Sequence, residues 1–206
     1  MSAEAPAAPR LTMLLPEGWV RLAVSDDPSE SVQRILDRAL AGVDRARRDM
    51  ARVTLRRRLQ SALGDAAERG VYELWLPIAP TSGVTMPASV AIAALPTQPD
   101  PARAVAEVLV GFSASAAGAL AVEIGGALGV RIAVDVPERH DAAGELEAPP
   151  TRLVNYIVSP ARPGGEWLVF TASLMIPDIE QSADVLAALE FVIDSMMATV
   201  EFEEAA

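Results

Sequence analysis

A single histidine, His140, no cysteine and no lysine limit the chemistry open to this 206-residue chain. Thiol nucleophiles, disulfide frameworks and cysteine zinc sites are excluded, as are multi-histidine metal motifs, the P-loop lysine and Schiff bases. Among what is left, Gly111-Phe112-Ser113-Ala114-Ser115 spells most of the G-x-S-x-G nucleophile elbow, and Asp135 and His140 follow in the hydrolase chain order. The elbow needs its last glycine where neighbouring backbone crowds it, and Ser115 stands there instead. His140 lies in an acidic stretch that offers a general base little to hold its geometry.

Other motifs carry less. Gly125-Gly126-x-x-Gly129 lacks the full dinucleotide spacing and is followed by Val130-Arg131-Ile132-Ala133-Val134, a strand pattern. Without a helix N-terminus there is no array of free N–H groups for a phosphate, so a turn is expected. The carboxylates Glu145 with Glu147, and Glu201 with Glu203 and Glu204, read as solvated charge. No metal site or cofactor is expected. Trp19, Trp75 and Trp167 read as core anchors, and Met196-Met197 as core filler.

The densest feature is basic. Arg45, Arg47, Arg48, Arg52, Arg56, Arg57 and Arg58 share 14 residues with one acid, Asp49, a local charge of +6. The net charge is −11, so the rest of the chain carries −17, which repels a polyanion and argues against nucleic acid. Arg45, Arg48, Arg52 and Arg56 recur at helical spacing on the side away from Met50, the pattern of a solvated face able to dock a protein. Pairs of the i,i+4 kind, Asp44–Arg48 and Arg45–Asp49, would support that helix.

The elements that must carry these residues follow from periodicity and punctuation. Leu11 to Leu15 and Val20 to Val24 are short strand patterns around the turn Pro16-Glu17-Gly18-Trp19. Asp27-Pro28-Ser29-Glu30 predicts a helix start, with Asp27 at the N-cap, and Gly70 a stop. Between them Val32, Leu36, Ala39, Val43, Ala46, Met50 and Val53 keep one stripe, whereas Leu55, Leu59 and Ala66 fall on the opposite side. That change of phase predicts a break near Val53–Arg56, or a second half packed on both sides.

Strand patterns then occupy Val71–Ile78, Ala88–Leu95, Leu120–Ile124, Val130–Val136, Leu153–Val158 and Leu168–Leu174. Gly125 to Gly129 and Pro160 to Gly165 read as hairpin connections. Asp100-Pro101 opens a helix to about Gly111, residues 138–150 read as a mobile loop, and Pro177-Asp178 opens a closing helix through Val185, Leu189, Val192 and Met196 to about Thr199. Five prolines within Leu76–Pro99 and the brevity of Val108–Val122 leave no membrane-spanning run. Residues 1–10 lack the pattern of a signal peptide and read as a flexible tail.

Consecutive hairpins predict an α+β fold: an antiparallel meander of about six to seven strands, packed against a long N-terminal helical segment and a C-terminal helix. One domain over residues 11–202 is expected, followed by an acidic tail, 203–206.

Several segments together resemble actinobacterial proteins of the PsbP/Mog-type group, to which LpqN-like proteins belong. They are Asn155-Tyr156-Ile157-Val158-Ser159-Pro160, Glu166 to Ser173, and the helix end Met196-Met197-Ala198-Thr199-Val200, with Leu15-Pro16-Glu17-Gly18-Trp19 and Gly129-Val130-Arg131. The resemblance implies an antiparallel sheet between helices, used as a protein-binding module without catalysis. The chain departs from that group in lacking a lipobox cysteine and in carrying the arginine-rich insertion, so a cytoplasmic setting is expected. The function that fits is a non-enzymatic adaptor or accessory module that binds another protein, with Arg45, Arg48, Arg52 and Arg56 as contacts. A serine hydrolase using Ser113 and a small-ligand carrier stand as alternatives.

Overall fold

The computed structural model describes residues 10–24, 28–80, 86–141, 143–161 and 165–203. In chain order these form β1 (Leu11–Thr12), β2 (Trp19–Ala23), α1 (Ser29–Ala39), α2 (Arg45–Glu68), β3 (Val71–Pro77), β4 (Ala88–Ala94), α3 (Val105–Ser115), β5 (Leu120–Ile124) and β6 (Ala127–Val136). They continue with β7 (Arg139–His140), β8 (Leu146–Ala148), β9 (Thr151–Val158), β10 (Leu168–Met175), α4 (Ser182–Met197) and β11 (Glu201–Phe202). The expected α+β fold is present. Seven strands form one antiparallel sheet in the order β2-β3-β4-β10-β9-β6-β5.

Alternation along the strands divides the apolar residues between two faces. On one, Trp75, Ile92, Phe170, Tyr156 and Val154 meet Leu186, Leu189, Ile193, Met196 and Met197 of α4. On the other, Leu22 meets Val32, Leu36 and Leu63 of α1 and α2 at the β2 end. Val130, Ile132, Ile157 and Trp167 meet Val108 of α3 at the β5 end. All three tryptophans and both methionines 196 and 197 are buried.

The helical segment differs from the expectation. α2 runs unbroken through Val53–Arg56, and the break lies earlier, between Ala39 and Arg45. Three residues explain it: Leu40 is buried and closes α1, Gly42 is a poor helix former, and Asp44 caps α2. The Asp44 carboxylate accepts from Ala46 N at 2.8 Å. The first apolar stripe therefore belongs to α1 alone, and α2 starts a new phase. Leu63 and Ala66 are its buried residues, while Met50 and Val53, expected inside, are 79% and 70% exposed.

Smaller differences have local causes. Residue Asp27 lies outside the described residues; α1 begins at Ser29 with Pro28 at the N-cap position. Only Leu11–Thr12 of the first apolar run is strand, and it pairs with β11 instead of β2. The Asp100 carboxylate accepts from Ala102 N in a turn, which delays α3 to Val105. Within 138–150, expected as a loop, Arg139 pairs across to Ala148 and its guanidinium meets Glu147 at 2.7 Å, forming the β7–β8 hairpin. The tight turn between β5 and β6 is Gly125-Gly126, both at positive φ (57° and 76°) that side chains resist.

Candidate functional site

Two clusters of charge stand on this frame. The first is the expected one, on α2. Its arginines are not equivalent, because the helix leans on α1 along one side. Arg48 donates to Val43 O at 2.8 Å, Arg52 Nη1 meets Asp37 Oδ1 at 2.6 Å, and Arg56 donates to Gln33 Oε1. The Arg52 bond, reinforced by Gln33, holds the Asp37 carboxyl below the usual range. Of the four arginines expected as contacts, then, Arg48, Arg52 and Arg56 tie α2 back to α1 and the turn before it. Neither expected i,i+4 side-chain pair forms: the Asp44 carboxylate caps the helix, and the side chains of Arg45 and Asp49 make no ion pair.

The side chains of Arg45, Arg47, Arg57 and Arg58 are exposed and have no hydrogen-bond or ion-pair partner among the described residues. Arg47, Met50, Val53 and Arg57 follow one another at spacings of 3, 3 and 4, a single outward stripe with Arg58 beside it. This stripe combines two exposed apolar side chains with three uncommitted guanidinium groups.

The second cluster was not anticipated. Strand register places Arg131 opposite Tyr156 and Asp135 opposite Arg152, and α4 lays Glu190 and Asp194 over them. Arg131 donates from Nε to Asp194 Oδ1 at 2.8 Å and from Nη2 to Glu190 Oε2 at 2.5 Å. Arg152 grips both oxygens of Asp135, at 2.6 and 2.8 Å, and reaches Glu190 Oε1 at 2.7 Å. The Tyr156 hydroxyl donates to Asp194. Burial works against the charge on Arg131, yet Glu190 and Asp194 hold its pKa above the ordinary value. Asp135 and then Glu190 do the same for Arg152. Burial, then the bond to Asp194, pushes the Tyr156 phenol up. The cluster binds β6 and β9 to α4.

Beside it an open cleft of about 490 Å³ runs along β5, lined by Leu120, Val122, Arg131, Tyr156, Asp194 and Met197. This is the place a small-ligand carrier would use, although Arg131, Tyr156 and Asp194 already bond one another. The hydrolase residues are apart in structural role. Ser113 sits in the last turn of α3 and not at a strand-to-helix elbow. Asp135 is held by Arg152, and His140 is exposed on β7. No hydrogen bond among the described residues links Ser113, Asp135 and His140. Among the described residues no group of three or more histidine, aspartate or glutamate side chains is placed to hold a metal. Among the described residues no helix is long and apolar enough to cross a membrane.

Comparison with protein-family models and with curated proteins finds no match to this chain.

Proposed function

We propose that the protein is an accessory module that binds another protein, and that the outward stripe of α2 is where an acidic partner docks. The observation that carries this is the pairing of unpartnered Arg47, Arg57 and Arg58 with exposed Met50 and Val53 on one helix face. Arginine beside apolar side chains is the composition of interface hot spots, because a guanidinium can pair a carboxylate while its stem covers apolar surface. A charge of +6 on a chain whose remainder is −17 also steers an acidic partner toward this helix. The likeness to the PsbP/Mog-type group supports the same reading. A cytoplasmic setting is part of the proposal, to be checked by fractionating the native host.

Relative to the contacts expected from periodicity, Arg47, Arg57 and Arg58 take over the docking role, Arg45 is exposed but lies off the stripe, and Arg48, Arg52 and Arg56 become supports that fix the angle of α2. The test is affinity capture from native lysate, followed by titration of the recovered partner against purified protein. Affinity should fall at least tenfold for R47E/R57E/R58E and should weaken as salt is raised. A partner bound equally well by that variant, or binding insensitive to salt, overturns the assignment of the site.

A further inference from the structure

The two borders of the large sheet are treated differently. At the β2 border, Arg21 carries charge, and its guanidinium bridges Glu73 at 2.6 Å and Leu11 O at 3.1 Å. At the other border, β5 pairs only with β6, and among the described residues no strand meets its outer side. The sequence of β5 is Leu-Ala-Val-Glu-Ile: no proline, no bulge, no basic residue and one carboxylate. Proteins ordinarily blunt such an edge, since its free N–H and C=O groups recruit another strand.

The α3 side of this border is equally unguarded. Val108 to Val122, which runs from α3 into β5, contains no charged residue, although 22% of the chain is charged. Val110 of α3 is 67% exposed and Leu120 of β5 is 55% exposed. Two molecules of net charge −11 repel over most of their surfaces, and this border lets them meet without apposed charges.

We infer that β5 is the pairing edge for a second copy of this chain, joined antiparallel about a two-fold axis at Val122. Self-complementarity favours that occupant. In this register Leu120 faces the partner's Ile124 and Val122 faces the partner's Val122, on the side of the sheet that α4 covers. Ala121 faces the partner's Glu123 on the side that α3 covers. The two carboxylates therefore avoid each other, and every directly opposed pair contains at least one apolar residue. The two sheets become one continuous sheet.

The register can be read by charge. Ala121 and Glu123 are both exposed, so substitutions there leave the core intact. A121K places a lysine opposite each partner glutamate and should tighten the dimer. A121E places glutamate opposite glutamate twice and should loosen it. Two cross-strand pairs change together, so each shift in dimer dissociation constant should be roughly two- to thirtyfold. A121E/E123K restores opposite charges and should recover the dimer. Sedimentation equilibrium across a concentration series reads all four proteins, and a variant that merely misfolds cannot produce tightening. Wild type and A121K both monomeric up to the solubility limit would overturn the inference, as would a dimer that responds alike to A121K and A121E. So would β5 taking up an unrelated apolar peptide while the protein stays monomeric.

Discussion

Arg57 and Arg131 are the same residue type in opposite circumstances. Arg57 belongs to a run of arginines, is exposed, and touches no partner among the described residues. Arg131 is the only charge in an apolar strand segment, Val130 to Val134, its side chain is 11% exposed, and it bonds two carboxylates. The comparison extends to the helices. α4 buries five apolar side chains, each contributing roughly 1.5–3 kcal/mol, and is clamped further by Glu190 and Asp194. α2, at 24 residues, buries two, both near its C-terminal end. The outward arginines of the conspicuous run are free to meet something outside the fold, while the inconspicuous Arg131 and Arg152 hold it together.

Arg131→Ala should break this contrast hardest. It leaves Glu190 and Asp194 close together under a helix without their shared counter-charge. A loss of about 2–3 kcal/mol is expected, less than for a fully buried pair because Asp194 is half-exposed. Urea denaturation measures it. Asp44→Ala removes the cap that starts α2 and should cost about 1 kcal/mol, appearing as fraying of its first turns in hydrogen exchange.

Titration sharpens the comparison next. Burial raises the Glu190 pKa, but its bonds from Arg152 and Arg131 outweigh that and hold it below the ordinary value. A carboxyl lowered in the folded state adds stability above its unfolded pKa, and that stability is lost as pH falls through the folded pKa. Melting temperature should therefore drop as pH falls below about 4.3. The Glu190→Gln protein should show a shallower drop over the same range. The smallest effect belongs to α2: Arg57→Ala and Arg58→Ala should leave the urea midpoint unchanged while weakening the proposed partner.

Much of the fold was legible because its signals are local. Strand alternation and the glycine and proline turns gave all seven strands of the large sheet to within a few residues. The phase change alone places the break near Val53–Arg56, too far along the chain, because the apolar stripe of α1 continues by chance through Val43, Ala46, Met50 and Val53. The signal was present in Gly42 and Asp44, a weak helix former and a cap two residues apart. The outward side of α2 was misassigned for a different reason. Periodicity defines the faces of a helix, but which face packs depends on α1, and Asp37 and Gln33 drew Arg52 and Arg56 toward it. The Arg131 cluster depends on register between β6 and β9 and on the placement of α4. A lone arginine among valines, and a Glu190–Asp194 pair one turn apart in a mostly apolar helix, were its local traces.

The position of β10 in the sheet has a consequence for synthesis. β10 pairs with β4 on one side and β9 on the other along its whole length. As the chain leaves the ribosome, β2 through β4 and β5 through β9 are complete before Leu168 to Met175 exist. Until then β4 and β9 each keep a bare, apolar edge with its partner strand still unmade. β10 is thus the piece that joins the two halves, and a ribosome stalled before it holds a nascent chain exposed to misassociation.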